Sequence, residues 1–196
     1  TVTPKDGYKF DKWTDNAGES FKDNAALREA SYSVDQTFTA YFTATEQTYR
    51  VRYLDEATSK EIHKMSNPKK TYFGKVIEGY TEKIDISGYT FVKADDLTVE
   101  TENEKNIVTV YYSKDDNHDG IPDKYQITFT YESADDNKGT VTGTTREVVT
   151  TYEITRNSVT GEIIVGKGPT AQNPTQPSTV TPKDGYKFDK WTDNAG

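Results

Sequence analysis

Apolar positions along this chain recur at a spacing of two more often than at three or four. Phe38, Ala40 and Phe42 alternate with polar residues, Tyr49, Val51 and Tyr53 alternate with Arg50 and Arg52, and residues 126–131 read QITFTY. Such alternation marks strands with one face covered. Strands are therefore expected at 8–13, 33–43, 49–53 and 126–131, at 139–145 after a turn, and along the β-branched run 146–154. Between 46 and 113 the segments 70–78, 79–86, 88–93, 97–101 and 106–113 complete a unit of about five strands, the size of one small domain. The one helical signal is 23–30, DNAALREA, where Asp23 is placed to cap one or two turns.

Composition supports the same reading. Tyr, Phe and Trp number 24 and Val, Ile and Thr 54, against four Leu and Met, a mixture that suits pleated surfaces. With 32 acidic against 24 basic residues the net charge is −8 and the isoelectric point about 4.9, which argues against binding to a phosphate backbone. No apolar run approaches the length of a membrane helix, so neither nucleic acid nor membrane insertion is expected of this segment. Cysteine is absent, which removes disulfides and thiolate metal sites.

The string TVTPKDGYKFDKWTDNAG occupies residues 1–18 and returns unchanged at 179–196. Thr1 recurs as Thr179, a period of 178 residues, and identity over such a period is the expected mark of a segment taken from a longer tandem array. The organisation that follows is 1–45 as the back part of one β domain, 46–113 as a complete domain, 114–125 as an acidic linker, and 126–196 as the front part of the next copy of the first domain. Two part-domains would each leave an open sheet edge and half a core, so either flexible ends or head-to-tail contact between neighbouring repeats is expected, with folding back of the chain on itself only if the middle domain is short enough to bridge. The tract 166–178, rich in Gly, Pro, Gln and Asn, reads as a connector, and Pro174 with Pro177 forms a formal polyproline pattern within it.

Chemistry concentrates in the linker. Asp115, Asn117 and Asp119 stand at positions one, three and five, Gly120 at six and Asp123 at nine, with the Ile121 carbonyl available at seven. Hard oxygen donors at those positions, with glycine at the tight turn, match the first part of a calcium loop. Gln126 takes the twelfth position, where a bidentate Glu would complete the set. The same residues equally describe a solvated acidic linker.

Other features point away from catalysis. His63 and His118 are the two histidines, and neither lies in a nucleophile context. Glu100, Glu102 and Glu104 alternate with Thr and Asn as a wet strand face does. No Gly-rich phosphate loop occurs, and an enzyme is not expected. Trp13 and Trp191, with Tyr8 and Tyr186, could stack on sugars, but their G-Y-x-F-x-x-W pattern reads more simply as core. A Lys-to-Asn isopeptide crosslink is a further possibility that spacing does not identify.

Two resemblances organise these pieces. Residues 46–113, with TYRVRYLDEATSKEI, GYTEKIDISGYTFVK and NIVTVYYSK in that order, resemble the mucin-binding-protein (MucBP) repeat. The other unit, with Pro4, Gly7, Tyr8, Phe10 and Trp13 repeated as Pro182, Gly185, Tyr186, Phe188 and Trp191, resembles the internalin B-repeat, or Listeria–Bacteroides repeat, with a longer polar front half. The resemblances imply mainly β, small β-grasp-like domains in tandem, in a cell-wall-anchored adhesin on the surface of a Gram-positive bacterium. They imply attachment to host mucin or other glycans, with a purely structural spacer as the alternative.

Overall fold

The computed structural model of the chain describes residues 2–174 and 179–194. Pro177 of the polyproline pattern lies outside the described residues, as do Thr1, Ala195 and Gly196 of the duplicated string. The fold is mainly β. The chain divides into two units, Thr1–Ile84 with Val92–Tyr112, and Asp85–Phe91 with Ser113–Gly196.

Unit 1 holds two sheets. In the first, β1 (Tyr8–Thr14) lies between β2 (Ser20–Phe21) and β3 (Thr39–Ala44), all antiparallel. The β1–β3 register pairs Tyr8 with Ala44, Phe10 with Phe42 and Trp13 with Ala40, and it shifts between Phe10 and Lys12 at a bulge. Phe10 packs against both Trp13 and Phe42. The helical signal forms α1 (Asn24–Glu29), with Asp23 Oδ1 accepting from the Ala26 N–H at 2.8 Å as its cap. Asn24 at its start accepts from Trp13 Nε1 at 2.8 Å, tying the helix to β1.

The second sheet carries the core. Its strands are β4 (Glu46–Asp55), β5 (Glu61–His63), β6 (Lys69–Tyr72), β8 (Tyr89–Ala94) and β10 (Ile107–Lys114), in the order β5-β4-β10-β8 with β6 also paired to β4. The short pair β7 (Val76–Ile77) and β9 (Leu97–Thr98) stands apart. Along β4 every second residue, Gln47, Tyr49, Val51, Tyr53 and Asp55, is buried, as the alternation requires. Val108, Thr109 and Val110 of β10 are buried in succession, because that strand is covered on both faces. β4 and β10 run parallel, with six pairs from Arg50–Ile107 to Asp55–Tyr112, and residues 56–106 supply the long crossover that a parallel pair needs. The Tyr112 hydroxyl closes the core over Ile84, donating to its carbonyl at 2.8 Å and accepting from its N–H at 2.9 Å.

Three strand expectations are revised by local chemistry. The stretch 79–86 begins as a 3-10 turn, Gly79–Glu82. There Asp96 Oδ1 takes the Gly79 N–H at 2.8 Å and Thr81 Oγ1 donates to the Glu78 carbonyl at 2.7 Å, so side chains capture backbone groups that a ladder would use. Residues 33–38 stay outside β3, where the Thr37 N–H donates to Asn16 Oδ1 at 3.3 Å. The run 146–154 breaks at Thr151, whose N–H and hydroxyl both donate to the Tyr125 carbonyl.

A single residue, Thr45, joins the two sheets of unit 1. Its N–H donates to the Gly7 carbonyl at 2.9 Å and its own carbonyl accepts from the Phe73 N–H at 3.0 Å. The Phe73 ring stands edge-on to Tyr8.

Unit 2 contains three two-stranded pairs: β11 (Gln126–Thr130) with β13 (Arg146–Thr150), β14 (Ile154–Arg156) with β15 (Ile163–Val165), and β12 (Gly139–Thr142) with β16 (Thr179–Pro182). Among the described residues after 113, Pro122 is buried but no other aliphatic or aromatic side chain is, whereas the five-stranded sheet of unit 1 buries seven, Tyr49, Val51, Tyr53, Val92, Val108, Val110 and Tyr112.

The duplicated string folds in two ways. In its first copy β1 forms and residues 2–5 pair with no strand; in its second copy residues 179–182 form β16 and residues 186–193 form none. The turn between them is the same in both. Tyr8 N–H donates to the Lys5 carbonyl at 3.0 Å and Tyr186 N–H to that of Lys183 at 2.9 Å, with Gly7 and Gly185 at φ of 79° and 83°.

Candidate functional site

The acidic loop of unit 2 is wrapped around its own carboxylates. Asp115, only 3% exposed, accepts from the Asp119 N–H through Oδ1 at 3.2 Å and from the Gly120 N–H through Oδ2 at 2.9 Å. Its N–H is anchored to the Gly88 carbonyl. Gly120 takes a φ of 83°, the left-handed conformation expected at the sixth position, and His118 does so at 58° while its side chain stays exposed.

Asn117, Asp119 and Gln126 meet on the other side of the loop. Asp119 Oδ2 accepts from Asn117 Nδ2 at 3.0 Å and from Gln126 Nε2 at 2.5 Å, and Gln126 Oε1 accepts from Asn117 Nδ2 at 3.4 Å. Gln126, the mismatch at the twelfth position, therefore does reach the loop, but it brings a neutral, one-oxygen donor in place of a bidentate charge. Burial pushes the Asp119 carboxyl up; hydrogen bonds from Gln126, the Ile121 N–H and Asn117 outweigh it and hold the group below the ordinary aspartate range.

The remaining two candidates lie differently. Ile121 is held through its N–H, which donates to Asp119 Oδ1 at 2.8 Å. Asp123 turns both oxygens to the Asp116 N–H, at 3.2 and 3.3 Å. Among the described residues no three carboxylates or histidines stand close enough together to hold a metal ion. The side chains of Asn117, Asp119 and Gln126 are drawn together by hydrogen bonds, while Asp115 gives both of its oxygens to the Asp119 and Gly120 N–H groups.

Sequence reasoning missed Arg156. Its guanidinium donates to the carbonyls of Gly120 and Gly161 at 2.7 Å, to that of Phe91 at 3.1 Å, and to Thr90 Oγ1 at 2.9 Å. One side chain thus pins the acidic loop to Gly161 and to the Thr90–Phe91 segment. Three of its four partners are main-chain oxygens, which leave no mark in a sequence. The guanidinium fork can satisfy several acceptors at once, and a lysine cannot reproduce that.

The aromatic signature divides between its copies. Phe10 and Trp13 are half-buried in the first sheet, while Trp191 is 43% exposed and contacts Tyr131 and Phe188. His63 is exposed and sets its ring against Tyr53.

The same residues carry the similarity to known proteins. The family model of the divergent InlB B-repeat domain matches residues 1–46 and again 149–196. Both end segments are B-repeat-like. The two matches contain the duplicated string, and the family is a Listeria–Bacteroides repeat type found in extracellular surface proteins. The second match begins at 149, so the polar front half, 126–148, lies outside it. No curated protein and no solved structure matches the chain. No helix among the described residues is long and apolar enough to cross a membrane.

Proposed function

We propose that the chain is a non-catalytic, load-bearing repeat of a bacterial surface protein, in which 46–113 is one domain between B-repeat-like neighbours and serves as a spacer. The observation that carries this reading is the parallel pairing of β4 with β10. Tension along the chain pulls β4 by its N-terminal end and β10 by its C-terminal end. In a parallel pair those forces are opposed along the strand axis, so all six residue pairs are loaded in shear together. Unzipping, which breaks one bond at a time, is avoided.

The test is single-molecule pulling of the full chain, which has no cysteine of its own to interfere with engineered handles. Handles at Glu46→Cys and Lys114→Cys load β4 and β10 in shear; handles at Ala57→Cys and Lys114→Cys hold both strands near the same end and unzip them. Rupture force is expected to be severalfold higher in the first geometry. Equal, low forces in both would overturn the spacer reading.

In this setting the acidic loop is a calcium-stiffened segment, with Asp115, Asn117, Asp119 and Gln126 as ligands and the Ile121 carbonyl and Asp123 recruited on binding. The ion would neutralise Asp115 and Asp119, and Gln126 in place of Glu sets the affinity low. Calorimetry should give binding in the millimolar range typical of weak extracellular sites, lost in Asp119→Ala. Absence of heat and of thermal stabilisation at about 10 mM calcium would remove the ion from the account.

Adhesion to host mucin or other glycans is the second reading, favoured by Tyr72, which lies 59% exposed beside Lys70 on β6. An exposed aromatic face beside a polar group suits a sugar ring. Saturable binding of the full chain to mucin, abolished by deglycosylation and by Tyr72→Ala, would support adhesion; silence on a glycan array would leave the spacer role alone.

A further inference from the structure

The core-facing residues of the five-stranded sheet alternate with an outer row of different character. On β4 that row is Arg50 and Arg52; the parallel register sets Ile107 and Thr109 of β10 beside them, with Tyr111 next along the strand. On β8, the neighbour of β10, Lys93 follows the buried Val92 and therefore faces outward, and its Nζ stands 5.1 Å from the centre of the Tyr111 ring. Tyr72, on which the adhesion reading stands, belongs to the same face, since β6 pairs it with Glu46. Arg50 and Lys93 are exposed, and Arg52 and Tyr111 are half-buried.

Charge sets this row apart. The chain carries a net −8, yet none of Arg50, Arg52 and Lys93 forms an ion pair among the described residues. Arg52 donates through one Nη to Thr109 Oγ1 at 3.1 Å, while its buried Nε has no acceptor. A buried donor left unmade is costly, so the guanidinium is one bond short. Asp95 adds a carboxylate, whose Oδ2 accepts from the Tyr111 hydroxyl at 2.9 Å and whose Oδ1 stays open.

We infer that this face binds a sulfated sugar, with the sulfate ester between Arg50 and Arg52 and the sugar ring against Tyr111. The two arginines are two residues apart on one strand face, about 7 Å, so both can reach one anion. A sulfate ester presents three terminal oxygens and can take donors from both guanidinium groups, including the unsatisfied Nε of Arg52. A carboxylate has two oxygens in one plane and is filled by a single fork. Lys93 lies two strands from β4, about 10 Å, a span that a disaccharide covers. Asp95 Oδ1 can accept from a sugar hydroxyl, and the Tyr111 ring suits the apolar face of a pyranose. Asp95 also disfavours a polyanion, whose further charges it would repel. The inference rests on the adhesion reading and gives it a ligand class and a second contact area.

Biolayer interferometry of the full chain tests it against one immobilised galactose-terminated glycan, presented 6-sulfated, unsulfated and sialylated. Binding is expected to the sulfated form alone and to weaken as salt rises. It should fall roughly tenfold in Arg50→Gln and in Lys93→Gln, exposed positions at which thermal unfolding should not change. Arg52→Lys keeps the charge but not the fork, and should lose as much. Equal binding to the unsulfated or sialylated form, or sulfate-selective binding that none of the three variants weakens, would overturn the inference and leave adhesion standing. No binding to the sulfated glycan would also overturn it; the adhesion reading then survives if mucin is still bound and falls with it if mucin is not.

Discussion

Asn106→Ala is expected to lower the unfolding free energy of unit 1 by about 3 kcal/mol. Asn106 is fully buried where the chain enters β10. Its Oδ1 accepts from the Glu100 N–H at 2.8 Å, and its Nδ2 donates to the Glu100 carbonyl at 2.9 Å and to the Thr48 carbonyl of β4 at 3.2 Å. Its own carbonyl receives the Arg50 N–H at 2.9 Å, immediately before the parallel ladder begins. Alanine would strand three main-chain groups without partners in a dry site, and leaving a buried donor or acceptor unmade costs more than the net worth of the bond. Urea unfolding followed by tyrosine fluorescence checks the number. A loss below about 1 kcal/mol would mean that water enters and replaces the amide. Since Asn106 anchors β10 to β4, the same variant should also lower the shear rupture force.

Gly7→Ala and Gly185→Ala form the second test, in which one substitution is made twice in one sequence context. Both glycines have positive φ, so each change carries the cost of a left-handed alanine, about 1 kcal/mol. At Gly185 the added methyl would meet open space; at Gly7 it would lie 2.3 Å from the Phe73 ring, inside van der Waals contact. Displacing that ring, which also packs on Tyr8 beside the Thr45 junction, adds about 1–3 kcal/mol of overpacking. Gly7→Ala should therefore cost about 2–4 kcal/mol and Gly185→Ala about 1 kcal/mol. Equal losses would show that Phe73 yields without cost and that the two sheets of unit 1 are not locked at Thr45.

Much of the fold could be read before any coordinates. The alternation in β4 fixes which face carries Tyr49, Val51 and Tyr53, and the structure buries that face. Asp23 forms the cap expected of it. In the acidic loop the positions of Asp115, Asn117, Asp119 and Gly120 were legible because their spacing is local. Long-range partners were not. Arg156 binds mostly main-chain carbonyls from segments distant in sequence, Gln126 reaches the loop despite its unpromising type, and Asp123 spends its oxygens on Asp116. Tertiary competition also cut strands short wherever a side chain could take a backbone N–H first, as Asp96 does at Gly79.

The duplicated string separates the two contributions most cleanly. Its turn, Lys5–Tyr8 and again Lys183–Tyr186, is written in the sequence, because glycine in the left-handed conformation and one short hydrogen-bonded loop need nothing from elsewhere. Its strand is not. YKFDKWT becomes β1 where residues 39–44 lie beside it and remains unpaired where they do not, because a strand satisfies its backbone only through a neighbour that the local sequence does not contain.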